Sequence, residues 1–240
     1  LGHVVKKCVG SVLRRRDYAH IEDMLAILVP HLSESLRTGR AGVDLLVYGK
    51  PGTGKSELAR VLAADVGASA FEIASENEDG NLLDGERRLR ALRASQSLMR
   101  PQQTLLIFDE AEDVFRESMT GLRSGAAQSH KAWMNRMLES NRIPVIWIAN
   151  AIDDLDPAFV RRFDGVIELG VPPRAQRMRL IERYAGDMVS ASDTHRLADC
   201  TGITPALLSR ACSVVASARH QVHSARASGA VVRLIDSTLR

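Results

Sequence analysis

Residues 49–56 read GKPGTGKS and fit G-x-x-x-x-G-K-[ST] in full, with Gly49, Gly54, Lys55 and Ser56 at the fixed positions. The stretch sits between an apolar run of strand length, DLLVY (44–48), and a segment of helical character (55–66). Glycines let the backbone take positive φ and approach a ligand closely. Successive N–H groups and a helix N-terminus can then surround phosphate oxygens. Lys55 would reach the β- and γ-phosphates of a nucleoside triphosphate, and Ser56 would ligate Mg²⁺. The loop alone specifies a triphosphate, not whether it is hydrolysed, transferred or used as a switch.

LLIFDEAE (105–112) supplies the second element, four apolar residues ending in Asp109 and Glu110. In open parallel sheets, ligands bind beyond the carboxyl ends of the strands. Asp109 is therefore expected in the Mg²⁺ shell, and Glu110 beside it can polarise a water for in-line attack on the γ-phosphate. Glu112 and Asp113 read as surface acids that suit the dipole of the following helix. Asn150 ends the apolar strand VIWIAN; it could contact the γ-phosphate or orient water, or simply open a turn. Arg161 and Arg162 could neutralise charge on a transferring phosphoryl group, in cis or from a neighbouring subunit. Composition alone favours a surface salt bridge for them, with Asp164 as one partner.

These residues need elements to position them. Residues 17–37 read as a helix strained by Pro30. Strand-like runs at 44–48, 70–74, 104–109, 143–150 and 165–170 alternate with helical segments at 55–66, 85–100 and 129–140. The runs at 104–109 and 143–150 are apolar on both faces, as buried parallel strands are. This is the pattern of a parallel sheet with helices on both faces. Residues 174–223 read as wholly helical, so a second, smaller helical domain begins near Val171. The tail 224–240 is ambiguous because Gly229 interrupts it.

The chain has 240 residues, enough for one large domain or a medium one plus a small one. It does not begin with Met, which reads as a piece of a longer protein, and its first ten residues lack the apolar run of a secretory signal. No apolar stretch is long enough to span a bilayer. A net charge of +3 is too mild to argue for nucleic acid. Three widely spaced cysteines suit free thiols in a reducing cytoplasm and show no zinc-ligand spacing.

In this order, the motifs resemble those of the AAA+ ATPases, specifically the AAA branch. GKPGTGKS matches Walker A, and LLIFDEAE matches Walker B with its catalytic Glu. IPVIWIAN is similar to the strand carrying the sensor-1 residue, and LDPAFVRRFD to the stretch holding arginine fingers that act in trans. VPPRAQRMRLIERY resembles the segment entering the helical lid, and LADCTGITPALLSRA (197–211) the lid helix of the sensor-2 region. The resemblance implies an α/β fold, a P-loop NTPase αβα sandwich with a five-stranded parallel sheet of order 5-1-4-3-2, followed by a small helical lid. The implied domains are an N-terminal linker and helix (1–40), the nucleotide-binding domain (41–170) and the lid (171–240).

It further implies ATP or ADP and Mg²⁺ as cofactors, with Ser56 and Asp109 on the metal. Pro51, Gly52, Thr53, Gly54, Lys55, Ser56 and Glu57 would surround the phosphates. DYAHI (17–21), with Tyr18, His20 and Ile21, would lie along the adenine. Leu180, Tyr184, Pro205 and Ala206 would face the nucleotide from the lid. Lys55, Glu110 and Asn150 would serve catalysis, and Arg161 or Arg162 would enter a neighbour's site, which implies a homo-oligomeric ring, usually a hexamer. The family's Arg-Pro-Gly-Arg is shortened here to Arg161-Arg162, so either is a candidate finger. Ala206 stands where other members carry a sensor-2 Arg, and Arg210, a helical turn later, reads equally as a surface residue.

Substrate-threading members carry an aromatic, an apolar residue and Gly in a pore loop after the second strand. Here the region reads SENEDGNLLDGERR (75–88), with Leu82, Leu83 and Gly85 the nearest match and Glu76, Glu78, Asp79 and Asp84 making it acidic. It reads equally as a solvated loop or as a pore loop suited to a basic polypeptide. A second polar loop, 116–130, is expected to be mobile, facing a pore or merely connecting. Arg219, Arg226, Arg233 and Arg240 recur every seven residues and read as a solvated face. The resulting expectation is a cytoplasmic Mg-dependent ATPase ring that remodels a protein substrate. The alternatives are a DNA- or RNA-associated loader or helicase-like ATPase, and a nucleotide-dependent switch that threads nothing.

Overall fold

The all-apolar runs become buried strands because helices cover them on both sides. The computed structural model describes residues 4–76, 80–115, 124–153, 155–218 and 224–239. The chain forms two compact units: one holds the residues up to Arg15 with Glu22–Gly49 and Lys55–Glu168, and the other holds Arg16–Ile21, Lys50–Gly54 and the chain from Leu169 on. The second unit thus takes in two short segments that precede the boundary read from the sequence.

In the first unit the strands are β1 (Val5–Lys7), β2 (Asp44–Tyr48), β3 (Ser69–Ile73), β4 (Thr104–Phe108), β5 (Val145–Ala149) and β6 (Gly165–Glu168). Its helices are α1 (Glu22–Thr38), α2 (Lys55–Asp65), α3 (Gly85–Leu98), α4 (Ser124–Ser140) and the one-turn α5 (Pro157–Val160). The sheet order is β1-β3-β4-β5-β2-β6. Strands β2 to β6 are parallel and take the expected order 5-1-4-3-2. The sheet differs from the expected five strands by β1, which pairs antiparallel with β3, so part of the presumed N-terminal linker instead closes a sheet edge. Three residues with one buried side chain give too little pattern for a strand to be read from sequence.

Helix α1 runs unbroken through Pro30. Proline inside a helix costs about 3 kcal/mol. Leu25, Leu28, Val29 and Leu32 are buried on either side of it, and such burial contributes about 1.5–3 kcal/mol per side chain, so packing wins. Residues 15–21 are not part of this helix but form a 3-10 segment kinked at Tyr18. Helix α4 begins at Ser124, earlier than the expected 129.

Beneath the sheet, Trp147 is fully buried, with its ring 4.8 Å from Phe108 and 5.5 Å from Phe115. Its indole N–H donates to Asp44 Oδ1 at 2.6 Å, and Asn141 Nδ2 donates to the same carboxyl at 2.9 Å. Asp164 Oδ1 faces His31 at 3.6 Å and Arg40 at 4.0 Å, so it is not the partner of Arg161 or Arg162. Burial pushes the Asp44 carboxyl up to about 8, outweighing the two donors, and the nearby Asp164 charge pushes the same way.

The second unit contains the 3-10 segment Arg15–Ile21 from Arg16 on, then α6 (Arg174–Ala185), α7 (Ala191–Asp199), α8 (Pro205–Ser217) and α9 (Ser224–Thr238). Leu180, Ile181, Leu197, Leu208, Val231 and Ile235 form its interior. Helix α9 continues through Gly229, which settles the ambiguous tail as helix. Arg219 and Arg240 of the seven-residue series lie outside the described residues, as do residues 77–79, with Glu78 and Asp79, and residues 116–123. Cys8, Cys200 and Cys212 are free thiols. Among the described residues no helix is long and apolar enough to cross a membrane.

The fold yields a pH prediction. A carboxyl whose folded pKa is raised contributes stability that is complete below its unfolded value near 4 and is lost as pH rises through about 8. Thermal unfolding from pH 5 to 9 should therefore show a falling midpoint. Asp44→Asn should flatten that fall, each recovered kcal/mol being worth about 2–4 °C. An unchanged slope in the variant would remove Asp44 as its source.

Candidate nucleotide site

Strand register brings the expected residues together. Tyr48 pairs with Ala149, and Phe108 with Trp147, so β2, β4 and β5 end at one edge of the sheet. The next residues in the chain, Gly49, Asp109 and Asn150, emerge there side by side. Helix α2 starts at Lys55 and returns its first turn to the same edge.

Lys55 is only 8 % exposed. Its ammonium donates to Gly49 O at 2.6 Å and to Asn150 Oδ1 at 3.1 Å. Burial lowers its pKa, and the charges of Asp109 and Glu112 oppose that shift. Ser56 Oγ donates to Asp109 Oδ2 at 2.7 Å, and the other oxygen of Asp109 accepts the Glu110 N–H at 2.8 Å. A hydroxyl and a carboxylate in contact are the donor set of a Mg²⁺ site completed by water and phosphate. Among the described residues no three His, Cys, Asp or Glu side chains group as an all-protein metal cage.

Glu110 is exposed and has φ of 51°, the one positive value at a non-glycine among the described residues. Such a conformation costs about 1–3 kcal/mol and persists where surrounding structure dictates it. Asn150 Nδ2 donates to Glu112 Oε1 at 2.6 Å. Glu112 is 9 % exposed with Oε2 unpartnered, so it is not the surface acid read from sequence. A signal was present in its apolar neighbours: Ala111, Val114 and Phe115 flank Glu112 and are buried. Glu112 fixes the amide so that its oxygen meets Lys55 and one N–H stays available.

Glu57 was expected among the nucleotide-binding residues, but its carboxylate is taken by Ser11 Oγ at 2.5 Å and by Arg60. Arg162 donates to Glu139 at 3.1 Å and to Ala158 O at 2.7 Å. Arg161 is exposed and has no ion pair with a described residue.

The loop residues Lys50–Gly54 group with the second unit. There Ala206 N donates to Gly52 O at 3.2 Å, and Tyr18 OH donates to Gly54 O at 3.1 Å. Gly52 and Gly54 have φ of +81° and +98°, and a Cβ on Gly52 would lie 3.0 Å from Thr204 Oγ1, so both positions require glycine. Thr204 caps α8 through the Leu207 N–H, and Pro205 opens that helix. His20 lies 6.5 Å from Tyr18, ring to ring, with both nitrogens unpartnered, and burial lowers its pKa. Leu180 is buried in this unit's interior, Pro51 and Ala206 are exposed, and Thr53 is buried with its hydroxyl on Lys50 O at 2.9 Å.

A loop of this shape before α2, an acidic strand end and an amide-terminated neighbouring strand define a P-loop nucleoside triphosphatase. Residues 45–171, more than half of the chain, match the family model described as ATPase family associated with various cellular activities (AAA). The chain belongs to that family and is an ATPase. It is 32 % identical over 189 residues to an ATP-dependent zinc metalloprotease FtsH 3 of Sphaerobacter thermophilus, covering 72 % of this chain and 37 % of that protein. It is 30 % identical over 182 residues to a spastin of Anopheles gambiae, covering 72 % and 22 %. A crystal structure of the FIGL-1 AAA domain in complex with ADP superposes with a TM-score of 0.64 at 18 % identity, over 99 % of this chain and 90 % of that one. The chain thus spans well under half the length of these curated relatives.

Glu112→Ala should release the Asn150 amide. Steady-state ATPase assays should show kcat lowered about tenfold, as for loss of a positioned group, with KM for ATP little changed. A wild-type kcat would show that Asn150 does not need this acceptor.

Proposed function

We propose that the chain is the Mg²⁺-dependent ATPase module of a homo-oligomeric ring, a hexamer as is usual in the family, that remodels a protein substrate. The supporting observation is the convergence of two hydrogen-bonded groups, Lys55–Asn150–Glu112 and Ser56–Asp109, beside an exposed Glu110 with no side-chain hydrogen bond among the described residues. Lys55 holds the β- and γ-phosphates. Ser56 and Asp109 hold Mg²⁺, which supplies charge neutralisation when bound. Glu110 accepts the proton of the attacking water, and the free N–H of Asn150 meets the γ-phosphate or that water. Tyr18, His20 and Ile21 serve the adenine, and Pro205 and Ala206 lie along the phosphate loop.

Arg161 is the better-fitted finger, because Arg162 is already committed to Glu139 and Ala158 O. The loop after β3 carries the client role. Glu76 and Leu82 bridge across it, and Leu82 is 79 % exposed among acidic neighbours. An exposed leucine in an acidic stretch of sequence suits a basic, partly apolar polypeptide segment.

Glu110→Gln should retain ATP binding and reduce turnover by about 10²–10⁴-fold, the usual contribution of a general base. Full turnover would overturn that assignment. Mixing Glu110→Gln protein with Arg161→Ala protein should recover activity that neither shows alone, since some sites then combine an intact base with an intact neighbouring arginine. No recovery, or specific activity independent of protein concentration in a monomeric sample, would defeat the ring.

A further inference from the structure

Arg88 lies on the first turn of α3 and is 1 % exposed. Its helix carries a buried stripe of Gly85, Leu89, Leu92, Ser95 and Gln96, and Arg88 occupies a place on that stripe where an apolar residue would normally stand. A buried guanidinium is ordinarily matched by a close carboxylate. Here the nearest ion pair is a distant one, Asp113 at 3.9 Å, and that carboxylate is largely exposed. The guanidinium lies instead over the Phe108 ring, 4.4 Å from its centroid, with Nε unpartnered. Its two terminal nitrogens donate to the main-chain carbonyls of Asp109 and Glu110, the latter at 3.4 Å.

Those carbonyls belong to the turn where the chain leaves β4 and Glu110 adopts its left-handed conformation. Glu110 makes no side-chain hydrogen bond within the described residues, so the conformation of its backbone largely sets where its carboxylate points. The Asp109 N-terminal side of this turn is held by β4, and its far side by Ala111 N donating to Ile148 O at 2.8 Å. Arg88 holds the middle.

We propose that Arg88 is a positioning residue for the base Glu110, acting through the carbonyls of Asp109 and Glu110 rather than through substrate. Because Asp84 caps α3 through the Arg87 N–H at 2.7 Å, the acidic loop ends four residues before this guanidinium. The inference rests on Glu110 being the base.

The test compares Arg88→Met, Arg88→Lys, Glu110→Gln and the double variant Arg88→Met/Glu110→Gln. ATPase kinetics, single-turnover rates, affinity for a fluorescent ATP analogue and thermal midpoints are measured on each. Arg88→Met should lose about tenfold or more in kcat, with analogue affinity within about threefold of the parent, because the phosphate loop is untouched. Arg88→Lys keeps the charge but cannot bridge both carbonyls, and should fall between. In the Glu110→Gln background the Arg88→Met change should slow single turnover no further, since a missing base cannot be misaimed. Wild-type kcat in Arg88→Met, affinity lost in proportion to rate, or losses that multiply in the double variant would overturn the proposal. If Arg88→Met does not fold, Arg88→Lys carries the same split, and a wild-type kcat there overturns it. Full turnover in Glu110→Gln would instead refute the base, a failure distinguishable from that of Arg88.

Discussion

The site depends on one buried charge. The Lys55 ammonium is almost removed from water, and a buried cation is stable only when hydrogen-bonded and balanced. Gly49 O and Asn150 Oδ1 meet its donors, and Asp109 and Glu112 supply opposing charge. Each partner comes from a different segment, so the requirement ties the ends of β2, β4 and β5 to the start of α2. Removing any one would leave a neighbour partly unsatisfied. Glu112 is the clearest case, since it both opposes the Lys55 charge and accepts from the amide of Asn150 that meets Lys55.

The sheet makes that convergence possible. Parallel pairing of β2 with β5, and of β5 with β4, puts their carboxyl ends at one edge in matched register. The aromatic cluster below, Trp147 with Phe108 and Phe115, holds β4, β5 and the segment after β4 in fixed relation, and Phe115 also packs on Phe159 at 5.1 Å, just before Arg161 and Arg162. Packing at this density transmits displacements rather than absorbing them. The catalytic turn and the arginine pair are therefore fixed by one set of rings.

Polar groups that never touch a nucleotide do much of the positioning. Arg88 and Glu112 are charged residues buried among largely apolar neighbours, and each is directed at a residue of the site. The Glu110 conformation supports the same reading. A left-handed non-glycine residue persists where neighbours over-determine it, and here the neighbours include a buried guanidinium.

The sequence by itself determined the chemistry and most of the architecture. The fixed spacing of Gly49, Gly54, Lys55 and Ser56 is a local requirement of backbone geometry, and all-apolar runs of strand length bounded by turn residues suit buried strands, so both were legible in one dimension. The order of the five parallel strands followed from the family resemblance. Tertiary structure decided what depends on meeting a distant partner. It turned Glu112 from a surface acid into the acceptor for Asn150. It committed Arg162 to Glu139 and gave Arg161 no ion pair among the described residues, took the Glu57 carboxylate away to Ser11 and Arg60, and made Val5–Lys7 an edge strand. A charged residue's burial is a property of its surroundings. From sequence, Glu112 reads as a surface acid and Arg88 has no assigned role; only the fold supplied the carbonyls and the amide that a buried charge at 88 and 112 meets.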